Sequence, residues 1–342
     1  MVAPASLQEP LVSVIVATYN QCASLRLALR SVLAQDLTSF EVLVIGDACT
    51  DGSAEVVYSF NDDRLQWLNL PHNTGSQSGP NNAGLRQARG HYIAYLGHDD
   101  LWLPWHLSRL VEGIETMKAD LVHSLCPLVG PRGVVGALGP PRDREGVSYA
   151  NHAPPPSCWL HRRDLMMTLG PWNDPAALAW HIDFDYMRRA SLAGKKIGFV
   201  PDLTMLKFPS PLFRPYAAGA TPPQQPYMRT LQEAPYDLQR RILVGLGVVA
   251  ATDRQCNVPP SFQHAMASFL AALLQCPRGA PLPFNLIEIA VRTLLKRTPY
   301  TVQWRIEYQG RAGYDRWPLS RYIYRVFQDM RRSTRRQRGL TS

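Results

Sequence analysis

The sequence predicts an α/β fold, a mostly parallel sheet covered by helices, with a helical C-terminal segment after it. Two observations carry this. Nearly continuous runs of Val, Ile and Leu, at Leu11–Thr18 and Glu41–Gly46, have the composition of parallel strands buried on both faces. Between them lie stretches whose apolar residues recur at helical spacing, and strand–helix alternation builds parallel sheets with helical covers.

The elements follow in order. LVSVIVAT (11–18) is the first strand, and residues 23–35, with Leu25, Leu29, Val32 and Leu33 on one face, form the first helix. EVLVIG (41–46) is the second strand; Asp51 can cap a short helix carrying Val56, Val57 and Phe60. Leu65–Leu70 is a third strand. Pro80 near a first helical position opens a helix through Arg89, Gly90 ends it, and His91–Leu96 is a fourth strand. Pro and Gly crowd residues 127–157, which read as loops or a lid. A helix over 183–193, ended by Gly194, precedes a strand over 196–201. The Pro-rich stretch 221–226 is the expected boundary region, with a first domain over 1–215 and a basic, mainly helical segment over 216–342. Within the latter, helical patterns cover 237–251, 261–275, 284–297 and 319–332.

Composition narrows the function classes. The chain has 342 residues, 46% of them apolar and 18% charged, enough to bury a core without disulfide or metal staples. Six cysteines stand singly, without a CxxC pair, and read as reduced thiols. MVAPASLQEP lacks the basic and apolar parts of a secretory signal, and no run approaches 20 apolar residues, so the expected location is cytoplasmic. The net charge of +9 is concentrated at the end: residues 291–342 hold 13 basic and 3 acidic residues. FNLIEIAVRTLLKR (284–297) is amphipathic with a basic side, so residues 284–342 suit peripheral contact with the inner face of a membrane. The alternative is an ordinary helical subdomain. No nucleic-acid module accompanies the charge, and no nucleic-acid partner is expected.

Ligands of open α/β sheets bind beyond the carboxyl ends of the strands. Those ends carry Ala17-Thr18-Tyr19-Asn20, then Asp47 to Asp51, then Gly97-His98-Asp99-Asp100. An aromatic ring can stack on a base, one carboxylate can accept from a base or ribose, and another can hold a divalent cation beside phosphates. The rim suits a nucleotide diphosphate. No G-x-G-x-x-G follows the first strand and no Walker A motif is present, which argues against dinucleotide and P-loop sites. Each residue also has a plainer reading. Asp47 can start a turn, Asp100 can cap the helix opening at LPWHL, and His98 and Asp185 can be structural. Trp102, Trp105, Trp159, Trp172 and Trp180 are core aromatics by default, with an acceptor groove as the alternative.

The runs VSVIVATYN, EVLVIGDACTDGS and HNTGSQSGPNNAGLRQARGHYIAYLGHDDLWLP, in this order, resemble the family 2 glycosyltransferases of the GT-A fold over about residues 11–207. The resemblance implies an inverting transfer from a nucleotide-diphosphate sugar, with UDP favoured. It places Ala17, Tyr19 and Asp47 at the nucleoside, Asn82 near the ribose or diphosphate, His98 beside the donor, and Asp99 on a divalent cation, Mn2+ or Mg2+. It assigns the catalytic base to Asp183 in IDFDYMRR. The implied acceptor is a glycan or its lipid-linked precursor in cell-surface polysaccharide synthesis.

Three departures from the family's pattern stand out. Gly97 replaces the first Asp of its D-x-D, Ile182 replaces the Glu before the base, and LTMLKFPSP stands where a further His is often found. A catalytically degenerate sugar-nucleotide or glycan binding module is therefore the alternative. A sugar-nucleotide pyrophosphorylase would need a Gly-rich basic loop after the first strand, which Tyr19-Asn20-Gln21-Cys22 does not supply. A processive synthase would carry membrane helices and Q-x-x-R-W, whereas GYDRW (313–317) lacks the Gln.

Overall fold

The computed structural model describes residues 9–130, 133–140, 149, 153–178, 182–208 and 221–255. Strand β1 (Val12–Thr18) leads into α1 (Cys22–Leu33), β2 (Phe40–Gly46), α2 (Ser53–Tyr58), β3 (Leu65–Asn69), α3 (Ser78–Gln87) and β4 (Tyr92–Tyr95). These strands pair in parallel in the order β3-β2-β1-β4, as the apolar runs predict. A two-residue strand β5 (Leu101–Trp102) and helix α4 (His106–Met117) follow, then β6 (Leu121–Gly130), β7 (Gly133–Leu138), β8 (Trp159–Arg162) and the short helix α5 (Leu165–Leu169). Helix α6 (Ile182–Leu192), β9 (Ile197–Leu203), β10 (Met205–Leu206), α7 (Gln225–Glu233) and α8 (Pro235–Gln255) complete the described chain.

The sheet continues past β4 through β8, antiparallel to β4 and β6, to β6 and β7, and β9 joins β6 in parallel. Here the structure corrects the expectation of loops over 127–157. Pro127 lies inside β6, paired with Ala137 of β7, and its carbonyl accepts the Lys207 N–H at 3.0 Å. A proline costs a strand its donor but not its acceptor, so the residue that reads as a breaker still holds a sheet position. Of the rest of that stretch, Pro156–Cys158 form a 3-10 turn.

The core lies on both faces of β1, β2 and β4. Val12, Val14, Ile15 and Val16 are fully buried, as are Leu25, Leu29 and Val32 of α1. Each such side chain contributes about 1.5–3 kcal/mol by leaving water. Helix α3 comes close to β1 because Gly84 has no side chain: a Cβ there would stand 2.7 Å from Ile15 Cγ2. At the amino ends of the strands, buried Glu41 accepts from Ser13 Oγ (2.7 Å), the Arg89 N–H (2.8 Å) and the Arg89 guanidinium (2.8 Å). That network ties β1, β2 and the exit of α3 together at the end away from the rim.

The Pro-rich stretch 221–226 runs into the start of α7. Met228, Leu231, Leu238 and Ile242 of α7 and α8 share a buried cluster with Leu101, Leu103, Trp105, Leu206 and Phe208. Packing therefore continues across the expected boundary at residue 215. The four described cysteines, Cys22, Cys49, Cys126 and Cys158, are unpaired. No helix among the described residues is long and apolar enough to cross a membrane. The patterns at 261–275, 284–297 and 319–332, the basic segment 284–342 and Trp180 lie outside the described residues.

Candidate active site at the strand rim

The carboxyl ends of β1 and β2 are stitched together by the loops that leave them. Asn20, with φ 47°, accepts the Thr50 N–H at 2.8 Å on its Oδ1. Asp51 accepts the Cys22 N–H at 2.9 Å, and its other oxygen takes the Ser53 N–H at 3.1 Å, so it holds the start of α2 from one residue before Gly52. Ala48 also sits at positive φ, 58°, immediately after Asp47. Non-glycine residues seldom adopt this region, and such strain gathers at functional sites. Ala17 and Tyr19 lie half-buried at the end of β1.

Asp47 is buried at this rim, 4% exposed. Its Oδ1 accepts from the Thr74 N–H (2.8 Å) and Thr74 Oγ1 (2.9 Å), its Oδ2 from the Gly75 N–H (3.2 Å), and its carbonyl from Asn73 Nδ2 (2.9 Å). The loop 73–75 is thereby folded against β2, directly before the α3 N-terminus. Gly79 permits this closeness, since a Cβ there would fall 2.3 Å from Thr74 Oγ1.

Asp183 and α3 meet across 106 residues of chain: Gln77 Nε2, at the α3 N-terminus, donates to Asp183 Oδ1. The proposed base thus opens α6 beside the loop that Asp47 holds. Asn82 makes a second tie. Its Oδ1 accepts the Trp172 N–H at 2.8 Å and its Nδ2 donates to the Trp172 carbonyl at 2.9 Å. Trp172 stacks on Tyr186 of α6 with centroids 4.7 Å apart. Asp185 turns to Arg189 (2.9 Å) and Asn173 (3.0 Å), the structural reading of that residue. Trp102, Trp105, Trp159 and Trp172 are all buried, as core aromatics.

On β4's side of the rim, His98 Nδ1 lies 3.2 Å from the Ala17 carbonyl. That oxygen can only accept, so Nδ1 carries the proton and orients the ring across the end of β1. Asp99 is 6% exposed, with the Lys207 ammonium 3.7 Å from its Oδ1. Asp100 is fully buried and does not cap α4, which starts at His106. It accepts instead from Ser157 Oγ (2.5 Å), Lys207 Nζ (2.9 Å) and the Phe208 N–H (3.1 Å). Burial pushes its carboxyl up to about 6 against the pull of Lys207. A cap was the wrong reading because the chain turns into β5 before α4 begins.

The comparisons with known proteins fit this rim. Residues 13–139 match the family model for glycosyl transferase family 2. Over those residues the chain is similar to the family 2 glycosyltransferases. Its relatives include the uncharacterized glycosyltransferase alr2836 of Nostoc, 30% identical over 50% of this chain and 56% of that protein. Another is WfaP of Escherichia coli, a UDP-Glc:alpha-D-GlcNAc-diphosphoundecaprenol beta-1,3-glucosyltransferase, 30% identical over 33% of this chain and 45% of its own length. The chain thus spans about half the length of these two curated relatives. Among solved structures, TarS of S. aureus in complex with UDP-GlcNAc has the same fold, with TM-score 0.51 and 23% identity over 58% of this chain and 59% of that one.

This rim does not fit a divalent cation held by two carboxylates. Gly97 supplies no carboxylate, and a Cβ there would stand 2.8 Å from Asp100 Oδ2 and 3.0 Å from Asp99 Oδ1. Asp99, the carboxylate expected to hold a cation, is already paired with the Lys207 ammonium, 3.7 Å from its Oδ1. No group of three or more His, Cys, Asp or Glu side chains among the described residues could hold a metal. Sequence reasoning missed Gln77, Thr74, Ser157 and Lys207. Gln77 and Thr74 stand inside the quoted HNTGSQSGP run, but nothing in their spacing marks them. Lys207 stands within LTMLKFPSP, the stretch in which the resemblance leads one to look for a His.

Proposed function

We propose that this domain is an inverting, non-processive glycosyltransferase. It moves a sugar from a nucleotide-diphosphate donor, UDP favoured, to a hydroxyl of a glycan or lipid-linked acceptor on the cytoplasmic side of a membrane. The observation that supports this reading is the Gln77–Asp183 hydrogen bond, which joins the carboxylate proposed as base to the loop held by Asp47. Tyr19, Asp47 and the backbone at Ala17 would receive the nucleoside, and His98 would border the donor. Asn82, engaged with Trp172, would act there by holding α3 against α6. The names of relatives support the donor and acceptor classes, since WfaP is named for UDP-Glc and a diphosphoundecaprenol-linked sugar.

In the step proposed, an acceptor oxygen attacks C1 of the donor sugar and its proton passes to a carboxylate oxygen of Asp183. The C1–oxygen bond to the diphosphate breaks, and its electron pair leaves with the nucleoside diphosphate. One displacement inverts the anomeric centre, so no second carboxylate is required as nucleophile.

The test is nucleoside diphosphate release from UDP-, dTDP- and GDP-sugars with undecaprenyl-linked acceptors. Wild type should turn over one donor. Asp183→Asn should lower kcat by about 100-fold or more while donor affinity stays within a few fold. Tight donor binding with no turnover in wild type would favour the degenerate binding module, which the replacement of Glu by Ile182 allows.

A further inference from the structure

The cluster formed by Lys207, Asp99 and Asp100 is the part of the rim that the functional reading leaves without a task. Lys207 follows β10 and bridges in parallel to Leu128 of β6, which brings it 107 residues along the chain to Asp100. Its side chain is 18% exposed. Asp100 anchors it from below at 2.9 Å and is itself fixed by Ser157 Oγ and the Phe208 N–H. Asp99 lies at 3.7 Å, an ion pair beyond hydrogen-bond length, and a lysine ammonium has three protons to give. The ammonium is thus a positive charge held in place beside the carboxylate expected to carry a cation. The space a second carboxylate would need at Gly97 is closed by Asp100, Asp99 and Ser157.

We infer that Lys207, in place of a divalent cation, is the positive charge that meets the diphosphate of the donor, and that this domain binds nucleoside diphosphates without metal. Lysine binds phosphate as a point charge, and at this position it would also offset charge on the departing diphosphate. The inference rests on the reading of the rim as a donor site. It makes Lys207 a donor-binding residue, and it gives the loss of a carboxylate at position 97 a physical partner.

The experiment is calorimetric titration of the full chain with UDP, dTDP, GDP and CDP and with the matching nucleosides, once in EDTA and once in Mn2+. The expected result is that one diphosphate binds in EDTA within threefold of its affinity in Mn2+. Lys207→Met should weaken that diphosphate by at least tenfold and leave the bare nucleoside unchanged, while Lys207→Arg stays within a few fold of wild type. Because Lys207→Met strands a buried carboxylate, Asp100→Asn/Lys207→Met removes the ammonium without doing so and should show the same selective loss. Binding that requires Mn2+, or tightens tenfold with it, overturns the inference, as does unchanged diphosphate binding in the folded double variant. Absence of nucleotide binding in both buffers overturns the donor-site reading itself.

Discussion

At the scale of single residues, the rim works through side chains whose partners come from distant parts of the chain. Asp47 is singled out in the sequence by the motifs around it, since alone a carboxylate in DACTDGS reads as a turn residue. Its engagement with Thr74 and Gly75 is not readable, since it depends on how the loop after β3 folds back. Gly97 shows the same limit: the sequence registers a missing carboxylate, whereas the structure shows that a Cβ there would crowd Asp100, Asp99 and Ser157. Gly97→Ala should therefore destabilise the protein by about 1–3 kcal/mol, read as a lower denaturation midpoint. An unchanged midpoint would mean that Asp99 and Asp100 yield freely to a Cβ 2.8 Å from an Asp100 oxygen.

At the scale of elements, β1 to β4 and the helices between them are legible because strands buried on both faces must be apolar along their length. The β6–β7 pair is not legible, because Pro127 and the surrounding glycines are turn formers that the sheet tolerates at one register. Helices α3 and α6 are tied by Gln77–Asp183 and by Asn82–Trp172–Tyr186, and the proposed chemistry falls between them. Asn82→Ala breaks both bonds to the Trp172 backbone, at a cost of about 1–3 kcal/mol for each group left unpaired. Since Asn82 acts through α6, kcat should fall while donor KM changes little. A rise in donor KM with kcat intact would instead place Asn82 against the donor.

At the scale of the whole molecule, the fold buries titratable groups in its core, and stability should follow pH accordingly. Burial lowers His106 to about 3 and His161 to about 4, so both stay neutral when folded. Below about pH 6.5 the unfolded chain takes up those protons and the folded chain does not, so stability falls as pH drops. Asp100 opposes one of them between about pH 6 and 4, because burial makes the folded carboxylate the better proton acceptor. Two histidines outweigh one carboxylate, so the net effect is a loss of stability as pH drops from 7 to 5. Urea denaturation at pH 7, 6 and 5 measures it; stability that holds or rises towards pH 5 would contradict these burials. Glu41 extends the loss to lower pH. Its burial alone would raise it, but the bonds from Ser13 and Arg89 bring it below the usual carboxylate range. Its contribution is present above that range and is lost as pH falls through the lowered value.

These scales meet in one claim, that the rim of β1, β2 and β4 receives a nucleoside diphosphate. Thermal denaturation of wild type, Asp47→Ala and Asp183→Asn with UDP, dTDP, GDP and CDP tests it most directly. A ligand at about 100 times its Kd adds roughly 2.7 kcal/mol to a folded state that alone binds it, which raises Tm visibly. One nucleotide should raise the Tm of wild type and of Asp183→Asn, and Asp47→Ala should lose the shift while remaining folded. No shift with any of the four, or an undiminished shift in Asp47→Ala, would contradict the account.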